Sequence, residues 1–308
     1  MIAHWDDLEP FPSKLAPMGG DWYDLGAAAG SVDVGVKRIK ITPGRISTPP
    51  HVHSREEEIF YVLGGSGLAW QDGETCEVRR ADCIVHAPGG AAHTLLAGDD
   101  GLDVLAFGPR FQPEAGYLPR SKNLWVADWA VRALDHHPWH DEAELGVPEF
   151  PEPGERPANV VALEDAPTEF GGSSRPIGRT AGATRSGLHH GVLPPGGEGA
   201  PPHLHTVEEE IFVILDGDGT LELWPVPSRG GGPPEKHPIR AGHVLSHPPG
   251  GGFGHALRAG SNGLTYLVYG TRSAADVAFY PRSNKISFRG VGLTARLEHL
   301  DYMDGEPG

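Results

Sequence analysis

Short apolar runs recur along this chain, and most are bounded by Gly, Pro or Asp. Residues 34–41, 58–63, 67–71, 83–86 and 103–107 are rich in Val, Ile, Leu and aromatic residues, which suit a pleated, half-buried strand. The pattern returns at residues 188–193, 210–215, 220–224, 244–246 and 264–269. Helical periodicity is poor, and residues 125–134 form the one plausible helical stretch. An all-β protein of short strands and tight turns is predicted.

The two sets of strands are copies of one unit. Glu58-Ile-Phe-Tyr-Val-Leu-Gly-Gly aligns with Glu210-Ile-Phe-Val-Ile-Leu-Asp-Gly, and Phe107-Gly-Pro-Arg with Tyr269-Gly-Thr-Arg. His51 and His203 are 152 residues apart, whereas His93 and His255 are 162 apart. The second copy therefore holds about ten extra residues, placed most simply in a loop at 225–238 with its Gly230-Gly-Gly run. A stretch rich in Pro, His and acids runs to about Gly154, so the domain boundary is expected near residue 150, giving units 1–150 and 151–308.

Composition narrows the partners. The 308 residues include 44 Gly and 30 Pro, as many turns require, and the net charge is −16. That charge argues against a nucleic-acid backbone or an anionic membrane as partner. Neither a basic-then-apolar leader nor a membrane-length apolar run occurs, so a cytoplasmic protein is expected. The two cysteines, Cys76 and Cys83, are expected as reduced thiols, since a chain this long needs no disulfide framework. A homodimer is compatible with this composition, and nothing in the sequence tests it.

The candidate chemistry lies in a duplicated histidine pattern. Pro49-Pro50-His51-Val52-His53 is followed by Glu58, and Pro201-Pro202-His203-Leu204-His205 by Glu210 at the same offset. His93 and His255 follow later, each after a Pro/Gly-rich turn. One His-x-His pair alone is a weak signal, but the whole string twice is not coincidence. Three imidazoles and a carboxylate per copy are the inventory of two metal sites. Residues i and i+2 of a strand share a face, so each His-x-His presents two rings to one point. Glu58 has the opposite parity to the pair, so the chain must turn at Ser54-Arg55, and likewise at Thr206-Val207. Glu56 to Glu58 and Glu208 to Glu210 are consecutive acids, and alternation does not choose among them.

These residues resemble the cupin superfamily. Its first motif, Gly-x5-6-His-x-His-x4-Glu-x6-Gly, is met by Gly44, His51, His53, Glu58 and Gly65, and again by Gly197, His203, His205, Glu210 and Gly217. That alignment selects Glu58 and Glu210 from their neighbours. The second motif, Pro-x-Gly-x-x-His, is met by Pro88, Gly90 and His93; the second copy, Pro248 to His255, has a longer turn and keeps Gly252 three before the His. The closing Asn of that motif is absent from both copies. The resemblance implies a bicupin: two tandem double-stranded β-helix (jelly-roll) barrels. Each would hold one divalent transition metal, Fe, Mn, Ni, Cu or Zn, on three His and one Glu. Glu58 and Glu210 would tune the metal and could accept a proton. The implied activity is a dioxygenase-type reaction on a small organic substrate; a non-oxidative isomerase, decarboxylase or lyase, and a non-catalytic small-molecule binder, are the alternatives. Oxalate chemistry would need an acidic lid residue, which the sequence does not reveal.

Other repeated positions carry weaker signals. His86 and His247 each stand two residues before a Pro and read as hydrogen-bonded strand residues or as partners of the site. His189 and His190 correspond to Lys37 and Arg38, so this strand could give the two pockets different walls. His136, His137 and His140 with Asp141 have no counterpart and read as solvated linker. Arg110 and Arg272 are expected to anchor strands that tie the units together.

Overall fold

The computed structural model describes residues 2–13, 15–111, 113–126, 136–298, 300 and 303–305. Strands dominate, and the chain builds two units of like topology. In the first, Glu58–Gln71, His93–Pro109 and Val34–Ile41 form the centre of an eight-stranded antiparallel sheet. A three-stranded sheet of Val52–His53, Ala115–Leu118 and Asn123–Val126 accompanies it. In the second, Glu210–Pro225, Phe253–Thr271 and Ser186–Leu193 centre a seven-stranded sheet, accompanied by four strands that include Leu204–His205 and Val277–Tyr280.

The expected barrels are therefore open: among the described residues each unit is a large and a small sheet, not a closed ladder. The two are bridged only locally, by single pairings such as His51 with His93 and His203 with His255. Pro49-Pro50 and Pro201-Pro202 precede these bridges, and proline has no N–H with which to extend a ladder.

Several predicted strands merge. Residues 58–63 and 67–71 are one strand, Glu58–Gln71, whose register slips around Gly65. Gly65 has φ +76°, and a Cβ there would lie 2.1 Å from the Gly101 carbonyl oxygen; Gly217 repeats both features at φ +81° and 2.2 Å from Gly263. A bulge of this kind needs glycine and bends the strand so that one ribbon serves both ends of the unit. The predicted helix over 125–134 fails at its start, because Trp125 and Val126 belong to strand Asn123–Val126; residues 127–134 lie outside the described residues. The inserted loop is shorter than expected, since Glu235–Arg240 is a strand paired to Glu210–Pro225.

The stretch before residue 150 is docked rather than solvated. It contains a short helix, Trp139–Glu144, whose Trp139 ring packs 6.1 Å from Trp22 and whose buried Glu142 accepts the Ser121 N–H at 2.7 Å. His136, paired to Asp141 at 2.7 Å, faces solvent, as do His137 and His140. Strand pairing also crosses residue 150. Ile2–His4 adds to the second unit's sheet beside His243–His247, and Val160–Ala162 adds to the first unit's sheet beside Asp82–His86.

A buried seam joins the units, with Phe107 stacked on Tyr269 at 5.4 Å amid Leu25, Ile59, Leu188 and Ile211. Two carboxylates latch it. Glu57 accepts the N–H groups of Thr184 (3.0 Å) and Ser186 (3.1 Å) and the Ser186 hydroxyl (2.5 Å). Glu209 accepts the N–H groups of Val32 (3.1 Å), Asp33 (2.5 Å) and Val34 (3.1 Å) and the Ser246 hydroxyl (2.9 Å). These glutamates tie the units, helped by Arg185, whose guanidinium donates to the Arg55 carbonyl at 3.0 Å. Arg110 stays in its own unit beside Asp24 at 3.6 Å. A buried carboxylate surrounded by N–H donors is satisfied without a counter-ion, which a guanidinium at the rim cannot provide.

Candidate metal centres

The first unit gathers all four predicted donors at one point; in the second, His203, Glu210 and His255 converge, while His205 groups with Glu208 and Asp276 and reaches Glu210 at 3.5 Å. In the first, His51, His53, Glu58 and His93 bring one ligand atom each within 4.8 Å of one another. His53 lies in Val52–His53, Glu58 opens Glu58–Gln71, and His93 opens His93–Pro109. The chain turns between His53 and Glu58, as the parity argument requires. His51 Nε2 is 3.2 Å from His53 Nε2, and His93 Nε2 is 2.9 Å from Glu58 Oε2. In the second unit Glu210 Oε2 lies 2.8 Å from His255 Nε2, 3.3 Å from His203 Nε2 and 3.5 Å from His205 Nε2.

The far sides of the rings explain this aim. His51 Nδ1 faces the Pro49 carbonyl (2.9 Å), His203 Nδ1 that of Pro201 (2.8 Å) and His93 Nδ1 that of Ala91 (3.1 Å). A ring that donates from Nδ1 to a carbonyl keeps a lone pair on Nε2 pointing inward. Behind the second ring of each His-x-His stands an acid: His205 Nδ1 meets Asp276 Oδ2 at 2.6 Å, whereas His53 Nδ1 is 3.5 Å from Glu114 Oε1. Both acids also gather the N–H groups of the following turn, Ser54 on Glu114 (2.7 Å) and Val207 on Asp276 (3.1 Å). Sequence reasoning missed this pair. The signal was present, for Glu114 and Asp276 stand at the same 162-residue offset as His93 and His255.

Electrostatics fit a cation. Burial by itself would raise the Glu58 and Glu210 carboxyls, but hydrogen bonds and charge from the neighbouring imidazoles hold both well below the usual range. Burial, then the charges of His93 and His53, pushes His51 down to about 3; burial likewise takes His255 to about 4. Burial acts against protonated His205 too, yet Glu210 and Asp276 lift it to about 9. Its buried Nε2 makes no hydrogen bond. Acceptor-only carboxylates, inward lone pairs and a partnerless buried nitrogen match the donor set of a divalent transition ion.

The triple acids separate by role. Glu58 and Glu210 face the histidines; Glu57 and Glu209 face the seam; Glu56 accepts the Phe111 N–H (2.8 Å), and Glu208 that of Ser273 (2.6 Å). His86, buried, and His247, partly buried, stack on His93 and His255 at 3.7 and 4.0 Å as backing plates for those rings. Of the next pair, Lys37 and His189 line the clefts at Glu58 and Glu210, while Arg38 pairs with Asp103 (2.6 Å) and His190 sits near Tyr61.

Two β units in tandem, each with donors converging at the end of its central strands, give the chain the fold of a bicupin. Residues 37–107 match the family model of the cupin domain. Among solved structures it is similar to an oxalate decarboxylase of Bacillus subtilis with Mn(II) centres, at 15% identity and a TM-score of 0.60, over 90% of this chain and 78% of that one. It is also similar to a Lactobacillus farciminis oxalate decarboxylase in complex with formate, at 15% identity and a TM-score of 0.59, over 88% and 86% of the two chains. No curated protein matches by sequence. Among the described residues no helix is long and apolar enough to cross a membrane.

Proposed function

We propose that the protein is a divalent-metal-dependent enzyme acting on a small organic molecule through a carbonyl or carboxylate oxygen, by non-oxidative chemistry of the decarboxylase, isomerase or lyase type. The convergence of three imidazoles and one carboxylate in the first unit, and of His203, Glu210 and His255 with His205 close by in the second, each at the edge of a solvent-reachable cleft, carries this reading. His51, His53, Glu58 and His93 would hold one ion, and His203, His205, Glu210 and His255 the other. Fe, Mn, Ni, Cu and Zn all suit such donors, and four protein ligands on a six-coordinate ion leave two positions for substrate. The ion would supply Lewis acidity toward the substrate oxygen.

The protein's own groups supply orientation and proton handling. Glu210 is an anionic acceptor at the floor of its cavity. His189 lines the same cavity, and burial, then the charge of Arg272, holds its imidazole below the ordinary value. It is thus neutral and able to accept a proton beside the bound substrate. The likeness to oxalate decarboxylases favours the non-oxidative branch. Dioxygenase chemistry is the second reading, supported by the same open positions. Buried free thiols at Cys76 and Cys83 accord with a cytoplasmic setting.

The test is metal analysis of protein purified without a histidine tag, followed by substrate screening with and without oxygen. Two ions per chain and turnover indifferent to anaerobiosis are expected. Oxygen uptake matched to turnover would transfer the assignment to the dioxygenase. Ligand binding and stability unchanged after chelation would make the protein a non-catalytic binder.

A further inference from the structure

We infer that the C-terminal unit alone admits an organic substrate, and that this substrate carries an apolar body, a ring or branched chain, beside its metal-binding oxygen. This deepens the metal-enzyme reading and rests on it. The C-terminal unit is hollow. A cavity of about 400 Å³ runs from Glu210 and His255 between walls of Leu193, Phe212, Leu257 and Val268. That volume falls in the range of roughly 300–1,000 Å³ typical of small-molecule sites, and apolar walls with a polar floor are their usual make-up.

The N-terminal unit fills the same place. Strand register makes the correspondence: Trp22 pairs with Ile39 across the sheet, and Ser174 pairs with Gly191. Both members of the second pair stand 152 residues after those of the first. Trp22 and Ile39 are buried, 9% and 2% exposed, within a core that includes Phe60, Leu95 and Val104. In the second unit a hydroxyl and a hydrogen replace the indole and the sec-butyl group. The Tyr266 ring crosses Gly191 so closely that a Cβ there would lie 2.4 Å from it. Ile39 has no such ring opposite; Val104 is the register partner.

Beside the donor residues, Ser173, Ser174, His189, Glu198 and Tyr266 bring polar groups to the hollow. Ser174 Oγ lies 3.3 Å from His189 Nδ1, and both line the cavity. A substituent able to exchange a hydrogen bond with that pair fits beside the apolar body. The N-terminal approach differs in lining rather than in size: a cleft of about 330 Å³, edged by Asp24, Lys37, Glu56 and Arg110, reaches His53 and Glu58 from the rim. Charged side chains there favour water and small ions over a ring.

The experiment uses the full chain loaded with Zn(II) and two chelating probes, acetohydroxamate and benzohydroxamate, titrated calorimetrically. Both offer the same pair of oxygens, and only the second carries a ring. Benzohydroxamate is expected to bind once per chain and about tenfold tighter or more, the return for burying a phenyl group. Ser174→Trp, which copies the N-terminal unit, should reduce the advantage to within about threefold while zinc stays at two per chain. Val268→Phe narrows the same cavity from the opposite strand and should act alike, which covers a misfolded first variant. Equal affinity for the two probes, two equivalents of benzohydroxamate, or a ring advantage surviving both variants would overturn the inference with the metal assignment intact. A chain that takes up no zinc would overturn both.

Discussion

The two halves share topology, donor residue types and seam, yet the place beside the donors that side chains fill in one is hollow in the other. The packed unit sets Trp22, Ile39, Phe60 and Val104 into its interior; the hollow one places Ser174 and Gly191 where the first two stand. The rings that point inward are held alike in both, by carbonyls at Pro49 and Pro201 and by flat partners at His86 and His247. Duplication therefore preserved the machinery that aims donors and let the adjoining volume diverge. The lesson is that a complete ligand set marks a site for an ion, whereas the space beside it decides whether chemistry on an organic molecule follows.

Paired variants sharpen or break that contrast. The largest effect belongs to the ligands. His203→Ala with His255→Ala should leave one ion per chain and lower turnover by about 10³-fold or more, whereas His51→Ala with His93→Ala should also remove one ion but change turnover by less than about tenfold. Metal analysis beside steady-state rates measures both, and equal losses would end the assignment of chemistry to the second unit. Next come the latches. Glu57→Ala and Glu209→Ala each strand several buried N–H donors and should cost about 3–5 kcal/mol in urea unfolding, with little difference between them. A large asymmetry would mean that the seam, not the pocket, distinguishes the halves.

A smaller effect separates the acids behind the rings. Asp276→Asn should weaken metal binding about 10–100-fold, as loss of such a partner usually does, and Glu114→Gln should do less because its contact is longer. Competition with a metal indicator reads the difference. The smallest effect is on pH in the metal-free protein. His51 and His255 are held down in the folded state, so the stability they contribute is complete above their ordinary 6.5 and is lost as pH falls toward 4 and 3. His205 is lifted to about 9, so its contribution is complete below 6.5 and is lost as pH rises through 9. Thermal melts should show an alkaline loss that His205→Asn abolishes.

Much of this was written in the residue order. The repeat, the strand-rich composition and the spacing His-x-His-x4-Glu needed no coordinates, because strand parity and the duplicated offsets are properties of the chain itself. Other features were hidden for physical reasons. A strand that bends at Gly65 reads as two runs, since the glycine that permits the bulge also looks like a terminator. Trp139 and Glu142 sit in a segment of turn-like composition and become ordered only by packing against Trp22 and Ser121. The acids at 114 and 276 repeat faithfully but lack the conspicuous company of histidine.

The sequence by itself determined that there are two β units and that each carries three imidazoles and a carboxylate at fixed intervals, because those follow from local periodicity and repetition. Tertiary structure alone decided what the neighbouring glutamates at 57 and 209 do, which half kept its hollow, and that strands Ile2–His4 and Val160–Ala162 cross to the opposite units. Those outcomes depend on neighbours far apart in the chain, such as Glu209 beside Val34 and Tyr266 across Gly191, and no local pattern encodes a contact whose partner lies a domain away.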